Sequence, residues 1–195
     1  GERRLSHASE RFQKLLGARR RIPVSTGAFR PGLPALDHFP MEVWRRLSDR
    51  RLREASTSLL AYDDPQGHPV LREAIAAHLN AARGAHCSAE QVIIVSGSQQ
   101  AVDLAARVLL DPGDEVWFED PGYFAARGAL EMAGARIVPV PVDDRGLVVS
   151  EGVAAAPRAR MAYVTPSNHN PTCATMSLAR RMELLNWSEH SGAWL

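Results

Sequence analysis

The stretch Val92-Ile93-Ile94-Val95-Ser96-Gly97-Ser98-Gln99-Gln100-Ala101 limits the possible folds more than any other part of the chain. Four consecutive β-branched apolar residues predict a buried strand. Ser96-Gly97-Ser98 predicts a tight turn. Gln99 to Leu110 then predicts a helix, with Val102, Ala105, Val108 and Leu109 on one side. A small-residue turn from a buried strand into a helix directs free backbone N–H groups at one spot, and the helix dipole favours an anion there. The ordinary alternative is a plain βα turn with Ser98 as the N-cap.

The same alternation continues along the chain. Pro69 opens a helix with Leu71, Ile75, Leu79 and Ala82 as its apolar stripe, and Gly84 ends it. Asp111-Pro112-Gly113-Asp114 is a sharp turn before the strand Val116-Trp117-Phe118, which closes in Glu119-Asp120-Pro121-Gly122-Tyr123. A helix follows from Phe124 to Ala133. Ile137-Val138-Pro139-Val140 is a strand whose proline suggests an edge or a bulge. Residues 147–160 are alanine-rich and give no clear pattern. Met161 to Val164 is a strand leading into Asn168-His169-Asn170-Pro171-Thr172-Cys173, and Ser177 caps a helix that Gly192 ends. Strands alternating with helices predict a mostly parallel α/β sheet with helices on its faces.

The first part of the chain differs. Arg3, Arg4, Arg11, Lys14, Arg19, Arg20 and Arg21 face only Glu2 and Glu10, a basic run that is either a linker near DNA or an ordinary solvated segment. Residues 23–40 carry Pro23, Pro31, Pro34 and Pro40 with Gly27 and Gly32 and read as an extended arm. Met41 to Glu54 reads as a helix, basic on one side. The domain organisation expected is a basic linker over 1–27, an arm and helix over 28–61, and an α/β body over 62–195. The net charge of +1 gives no global attraction to nucleic acid, and no helix-turn-helix or zinc-finger pattern is present. Cys87 and Cys173 lack metal-type spacing and read as reduced thiols, and no long apolar run or signal peptide appears, so a cytoplasmic location away from membranes is expected.

In parallel α/β sheets ligands sit at the carboxyl ends of the strands. Three such ends carry unusual loops: Ser96-Gly97-Ser98, Asp120-Pro121-Gly122-Tyr123 and Asn168-His169-Asn170-Pro171. They offer an anion cradle, an aromatic ring and an amide, a set suited to a planar phosphorylated cofactor. Neither G-x-G-x-x-G nor the P-loop pattern is present, which argues against dinucleotides and nucleoside triphosphates.

These loops resemble the pyridoxal-phosphate enzymes of fold type I, the aspartate aminotransferase superfamily. They resemble still more closely the aminotransferase-like domain of the MocR regulators of the GntR superfamily. The resemblance rests on Phe29 to Asp37 with Phe39-Pro40, on Tyr62 to Arg72 (Y-D-D-P-Q-G-H-P-V-L-R), on S-G-S-Q-Q-A from Ser96, and on E-D-P-G-Y from Glu119. It implies a partial three-layer, mostly parallel sheet of the fold type I large domain, with pyridoxal 5′-phosphate as cofactor. The backbone around Gly97, Ser98 and Gln99 would hold the phosphate. Tyr123 would stack on the pyridine ring, where the alternative is a core or rim aromatic. Asn170 would hydrogen-bond the ring's phenolic oxygen, where the alternative is an Asx-turn residue before Pro171. Tyr62 would reach the phosphate of a partner subunit, since the family is dimeric, and its alternative is a buried tyrosine bonded through its hydroxyl.

The sequence also departs from the family. Cys173 stands where the superfamily usually has glycine, and Asn170 stands where MocR proteins often have an aromatic. The family's pyridine-facing aspartate, Schiff-base lysine and carboxylate-binding arginine would all lie beyond Leu195, and Lys14 is the sole lysine of the chain. No catalytic or metal-binding residue is therefore expected within it. The resemblance implies a fragment of a MocR-type effector domain that senses a small amine or amino acid, with DNA bound only through another domain. Its rivals are a fragment of a stand-alone aminotransferase and a truncated chain without activity.

Overall fold

The computed structural model describes residues 34–195, together with Ser6, His7, Ser9, Glu10 and Gln13. Lys14, most of the basic leader and the arm residues Phe29 to Leu33 lie outside the described residues. The chain divides into two compact units, one within Arg21–Val95 and one holding Ser96–Leu195.

In the earlier unit a short 3₁₀ turn, Leu36–His38, precedes helix α1, Met41–Glu54. Arg45 of α1 pairs with both Glu42 and Asp49 one turn to either side. Helix α2, Pro69–Arg83, has its proline at the first position, where no hydrogen bond is lost, and ends on Gly84 in the left-handed conformation. The apolar stripe expected on α2 is displaced. Leu71 and Ala82 are exposed, whereas Arg72 and Ala76 are buried. Arg72 turns inward because the loop before the helix supplies its partners: Nη2 donates to Asp64 Oδ2 at 2.8 Å, and Nη1 donates to Gln66 Oε1. That ion pair and hydrogen bond lock the Asp64–Gly67 turn onto the helix, and Ile94 N–H donates to Gln66 O at 2.8 Å.

That single bond marks a correction. Val92–Val95 forms no strand of a ladder among the described residues, and Ile93 is exposed. Apolar β-branched sequence favours extended backbone, but a strand exists only where a neighbour receives its N–H and C=O groups.

The later unit is a three-layer α/β sandwich. Strands β1 (Glu115–Asp120), β2 (Arg136–Asp143), β3 (Gly146–Leu147) and β4 (Met161–Tyr163) form one sheet in the order β3-β2-β1-β4. The β1–β2 and β1–β4 pairs are parallel, and only the two-residue β3 is antiparallel. Beyond β4 a further parallel bridge starts at Trp194, whose carbonyl accepts from Ala162 N–H at 2.8 Å. Helices α3 (Ser98–Leu109) and α4 (Phe124–Met132) lie on one face, and α5 (Val149–Ala155) and α6 (Leu178–Ser191) on the other.

The pleat of β1 sorts its side chains between the two cores. Val116 and Phe118 pack with Ala106, Ala126 and Leu130 beneath α3 and α4. Trp117 points the other way, fully buried, and stacks on Trp187 of α6 with ring centroids 3.6 Å apart. Its indole N–H donates to Ala156 O at 2.9 Å, so the burial leaves no polar atom unpaired there. The prolines of β2 occupy outward positions. Pro141 O accepts from Val148 N–H on the side away from β1, so by alternation the missing N–H groups of Pro139 and Pro141 cost no bond to β1. The edge expected from Pro139 is therefore met along β2 up to Pro141, where Val148 and then β3 take up its outer side. In the alanine-rich stretch without a clear pattern, α5 occupies 149–155. Ser177 caps α6 as expected, its side chain accepting from Arg180 N–H, and Gly192 ends it at φ 72°.

Candidate functional site

Three loops of the later unit, two of them at the ends of β1 and β4, carry the residues singled out from sequence except Tyr62. At the start of α3, Gly97 is the N-cap and Ser98 is the first helical residue, so the alternative of a plain turn capped by Ser98 is not what forms. The reason is backbone conformation: Gly97 has φ 147° and ψ 176°, a region open to glycine and almost nothing else. No side chain caps this end. Gln100 Oε1 accepts instead from Ser96 N–H at 2.6 Å, and Gln99 Nε2 donates to Ala125 O at 2.9 Å, tying α3 to the first turn of α4. The first backbone bond of the helix runs from Ala101 N–H to Gly97 O. The N–H groups of Ser98, Gln99 and Gln100 thus have no acceptor within the helix. A Cβ built on Gly97 would meet no atom within 4 Å, so the approach to these donors is open. This end of α3 has the donors, the dipole and the space to hold a phosphate.

Tyr123 is the N-cap residue of α4, at the end of the turn that leaves β1. It is partly buried against the Val116–Phe118–Leu130 cluster, with Phe124 edge-on at 5.7 Å. The turn is tight because Gly122 lies over the end of β1: a Cβ there would stand 2.3 Å from Glu119 O and 2.7 Å from the Phe118 ring. Asn170 is exposed in the loop after β4. The peptide bonds Asp120–Pro121 and Asn170–Pro171, one in each of these loops, are cis. Cys173 has φ 61°, so the position where the superfamily usually has glycine does require the left-handed conformation here. Holding a cysteine there costs about 1–2 kcal/mol. Tyr62 belongs to the other unit and is fully exposed, which removes the alternative of a buried tyrosine.

The sequence pattern missed what lies beneath these loops. Glu119 and His169 are both buried, their side chains 1% exposed, with His169 Nε2 3.4 Å from Glu119 Oε2. The carboxylate also accepts from Thr165 N–H at 2.9 Å and from Thr165 Oγ1 at 2.6 Å. On the other side of the ring, His169 Nδ1 lies 2.7 Å from Thr172 Oγ1 and faces Thr172 N–H at 3.4 Å. A backbone N–H can only donate, so Nδ1 is the acceptor and Nε2 carries the proton toward Glu119. That Nε2 makes no in-line hydrogen bond of its own. Beside the pair, Tyr163 stacks on Phe118 at 5.2 Å. Burial, then the charge of Glu119 and the neighbouring Tyr123, hold its hydroxyl pKa above the usual tyrosine value. A clue was present in the sequence: Glu119 has the same strand parity as the inward Trp117, and an inward acid needs donors.

Comparison with known proteins gives a consistent result. Residues 32–195 match the family described as aminotransferase class I and II. The chain is 42% identical over 168 residues to the "Probable rhizopine catabolism regulatory protein MocR" of Rhizobium meliloti, covering 86% of this chain and 34% of that protein. It is 36% identical over 174 residues to the "HTH-type transcriptional regulator TauR" of Rhodobacter capsulatus, covering 87% of this chain and 34% of that one. Among solved structures, LysN, the α-aminoadipate aminotransferase of Thermus thermophilus, superposes with a TM-score of 0.75 at 33% identity, over 95% of this chain and 48% of that one. That structure holds N-(5′-phosphopyridoxyl)-L-leucine. The chain spans about a third of the length of the curated relatives it matches.

Proposed function

Because the chain belongs to the aminotransferase class I and II family, we propose that it is the first part of the pyridoxal-phosphate-binding effector domain of a MocR-type transcriptional regulator. The observation that carries this reading is the open, uncapped start of α3 at Gly97, within a chain 42% identical to a MocR protein.

In this reading Ser98 and Gln99 donate backbone N–H groups to the cofactor phosphate, with Gly97 supplying the backbone angle that exposes them. Tyr123 lies against the face of the pyridine ring, a contact that excludes water on that side. Asn170 donates its amide to the ring's phenolic oxygen. Tyr62 offers its hydroxyl to the phosphate site of a second copy of the chain in a homodimer. When bound, pyridoxal phosphate supplies an electrophilic aldehyde on an electron-withdrawing ring, the group an amine or amino-acid ligand would engage. Residues 1–27 then link this domain to a DNA-binding domain, residues 28–61 form the entering arm and helix, and 62–195 open the aminotransferase-like body. The protein works in the cytoplasm, consistent with two free cysteines and with no helix among the described residues long and apolar enough to cross a membrane.

One observation favours the second reading, a stand-alone aminotransferase: the exposed loop residue is Asn170, where MocR proteins often carry an aromatic. The two readings separate in one experiment on the full-length protein. Purified protein is mixed with pyridoxal phosphate and a panel of amino acids while operator-DNA mobility and keto-acid formation are followed together. A ligand-dependent mobility change without keto acid supports the regulator; rapid keto-acid formation without DNA binding overturns it.

A further inference from the structure

Glu119 lies near the end of β1 and His169 in the loop after β4, and each adjoins one of the residues proposed to hold the cofactor ring. Glu119 sits in β1 just before the turn that delivers Tyr123, and the close seat of Gly122 on Glu119 O leaves that turn no slack. His169 directly precedes Asn170. Its backbone closes the Asn170 loop, with His169 N–H donating to Ala174 O at 3.0 Å and His169 O accepting from Cys173 N–H at 2.7 Å. Its ring is fixed within the same loop by Thr172. β1 and β4 are parallel neighbours, paired last at Phe118 and Tyr163, and beyond that pair the ladder stops. The Glu119 carboxylate takes over there, holding Thr165 of the β4 loop through two hydrogen bonds and facing His169 Nε2.

We propose that Glu119 and His169 are positioning residues for the cofactor ring: a buried strut that sets the Asn170 loop against the Tyr123 turn. This rests on the proposed pyridoxal-phosphate site. Three groups face the carboxylate: the peptide N–H of Thr165 can only donate to it, Thr165 Oγ1 donates to it as well, and His169 Nε2–H stands 3.4 Å from it in electrostatic contact without a closed hydrogen bond. An amide in its place would have to present its own N–H₂ group to one of these groups. Thr165 Oγ1 can rotate to accept, but His169 Nε2–H cannot, so Glu119→Gln releases the histidine while leaving the Thr165 tie in place. The phosphate cradle at Gly97–Gln99 is on a third loop and is untouched by this change.

The test uses the full-length protein and pyridoxamine 5′-phosphate, which lacks the aldehyde and so reports ring and phosphate contacts without a lysine bond. Inorganic phosphate, titrated as a competitor, reports the cradle alone. Circular dichroism melts confirm that each variant is folded. Glu119→Gln and His169→Asn should weaken pyridoxamine phosphate binding about tenfold, the scale of one oriented hydrogen bond to a ring, with phosphate affinity unchanged. His169→Gln, whose longer amide carries an N–H donor toward Glu119, should keep affinity within about twofold on the same scale. The histidine pair decides the matter if Glu119→Gln does not fold. Equal losses in the Asn and Gln variants, a parallel loss of phosphate affinity, or undiminished affinity in both Glu119→Gln and His169→Asn overturns the strut. Failure of the unaltered protein to bind pyridoxamine phosphate overturns the site reading and the strut with it, whereas loss in Gly97→Val alone leaves the site standing and refutes the strut.

Discussion

Replacing Gly97 by alanine tests the phosphate cradle through the backbone alone. Space is no obstacle, since a Cβ there meets nothing within 4 Å. The obstacle is φ 147° with ψ 176°, a conformation an L-residue occupies only at a cost of about 1–3 kcal/mol. The variant has two ways to respond. It can hold the turn and lose that amount of stability, or it can relax the turn and rotate the N–H groups of Ser98 and Gln99 away from their common focus. The second route releases the strain but gives up two charge-assisted hydrogen bonds to a phosphate, each worth about 1.5–3 kcal/mol. The two measured losses should therefore trade against each other. Urea unfolding and pyridoxamine phosphate titration of the same preparation give both, and their sum should reach at least about 1 kcal/mol. Gly97→Val should lose more binding, since its branched side chain enters the open approach. An alanine variant with parental stability and parental affinity would refute the claim that this glycine shapes the site.

Three further outcomes follow from the same geometry. Tyr123→Ala should weaken pyridoxamine phosphate binding by about 1 kcal/mol or more, the scale of aromatic stacking, read by fluorescence titration. Asp143 has its pKa held below the usual carboxylate range by the Arg145 N–H and by the Arg180 guanidinium. A depressed folded-state pKa gives stability that is present above the unfolded value of about 3.9 and lost as pH falls through the folded one. Asp143→Asn should therefore cost at most about 1 kcal/mol near neutrality, since the pair is partly exposed, and nothing once the pH is well below the depressed folded-state value, as denaturation curves at both pH values would show. The 195-residue chain mixed with pyridoxal phosphate and reduced with borohydride should show no stoichiometric label on Lys14, its sole lysine, and no amino transfer to a keto acid; mass spectrometry and a coupled assay check both.

Much of the fold was legible because local rules and tertiary packing agree. Pro69 and Gly84 bracket α2, Ser177 and Gly192 bracket α6, and the β1–α4 unit follows from Val116-Trp117-Phe118 and the Pro-Gly turn after it. The failures share one cause, partners outside the element in question. Val92–Val95 has strand composition, yet composition does not supply a neighbour for its backbone. Arg72 occupies a buried helical position because Asp64 and Gln66 are folded back onto it. Of the site, the loops were legible through their glycines, prolines and the tyrosine, and Cys173 revealed its left-handed backbone by replacing a glycine. The Glu119–His169 pair was not, because its members are fifty positions apart and each reads locally as loop polarity. Strand parity alone marked Glu119 as inward.

Where the cofactor phosphate and ring lie decides the proposed site most directly. A crystal structure of the full-length protein grown with pyridoxal phosphate measures this in one step. The phosphate should lie within hydrogen-bond distance of the Ser98 and Gln99 N–H groups, the pyridine ring against Tyr123, and the Asn170 amide at the phenolic oxygen. Cofactor density elsewhere, or a phosphate held by side chains away from the start of α3, would contradict the proposed site.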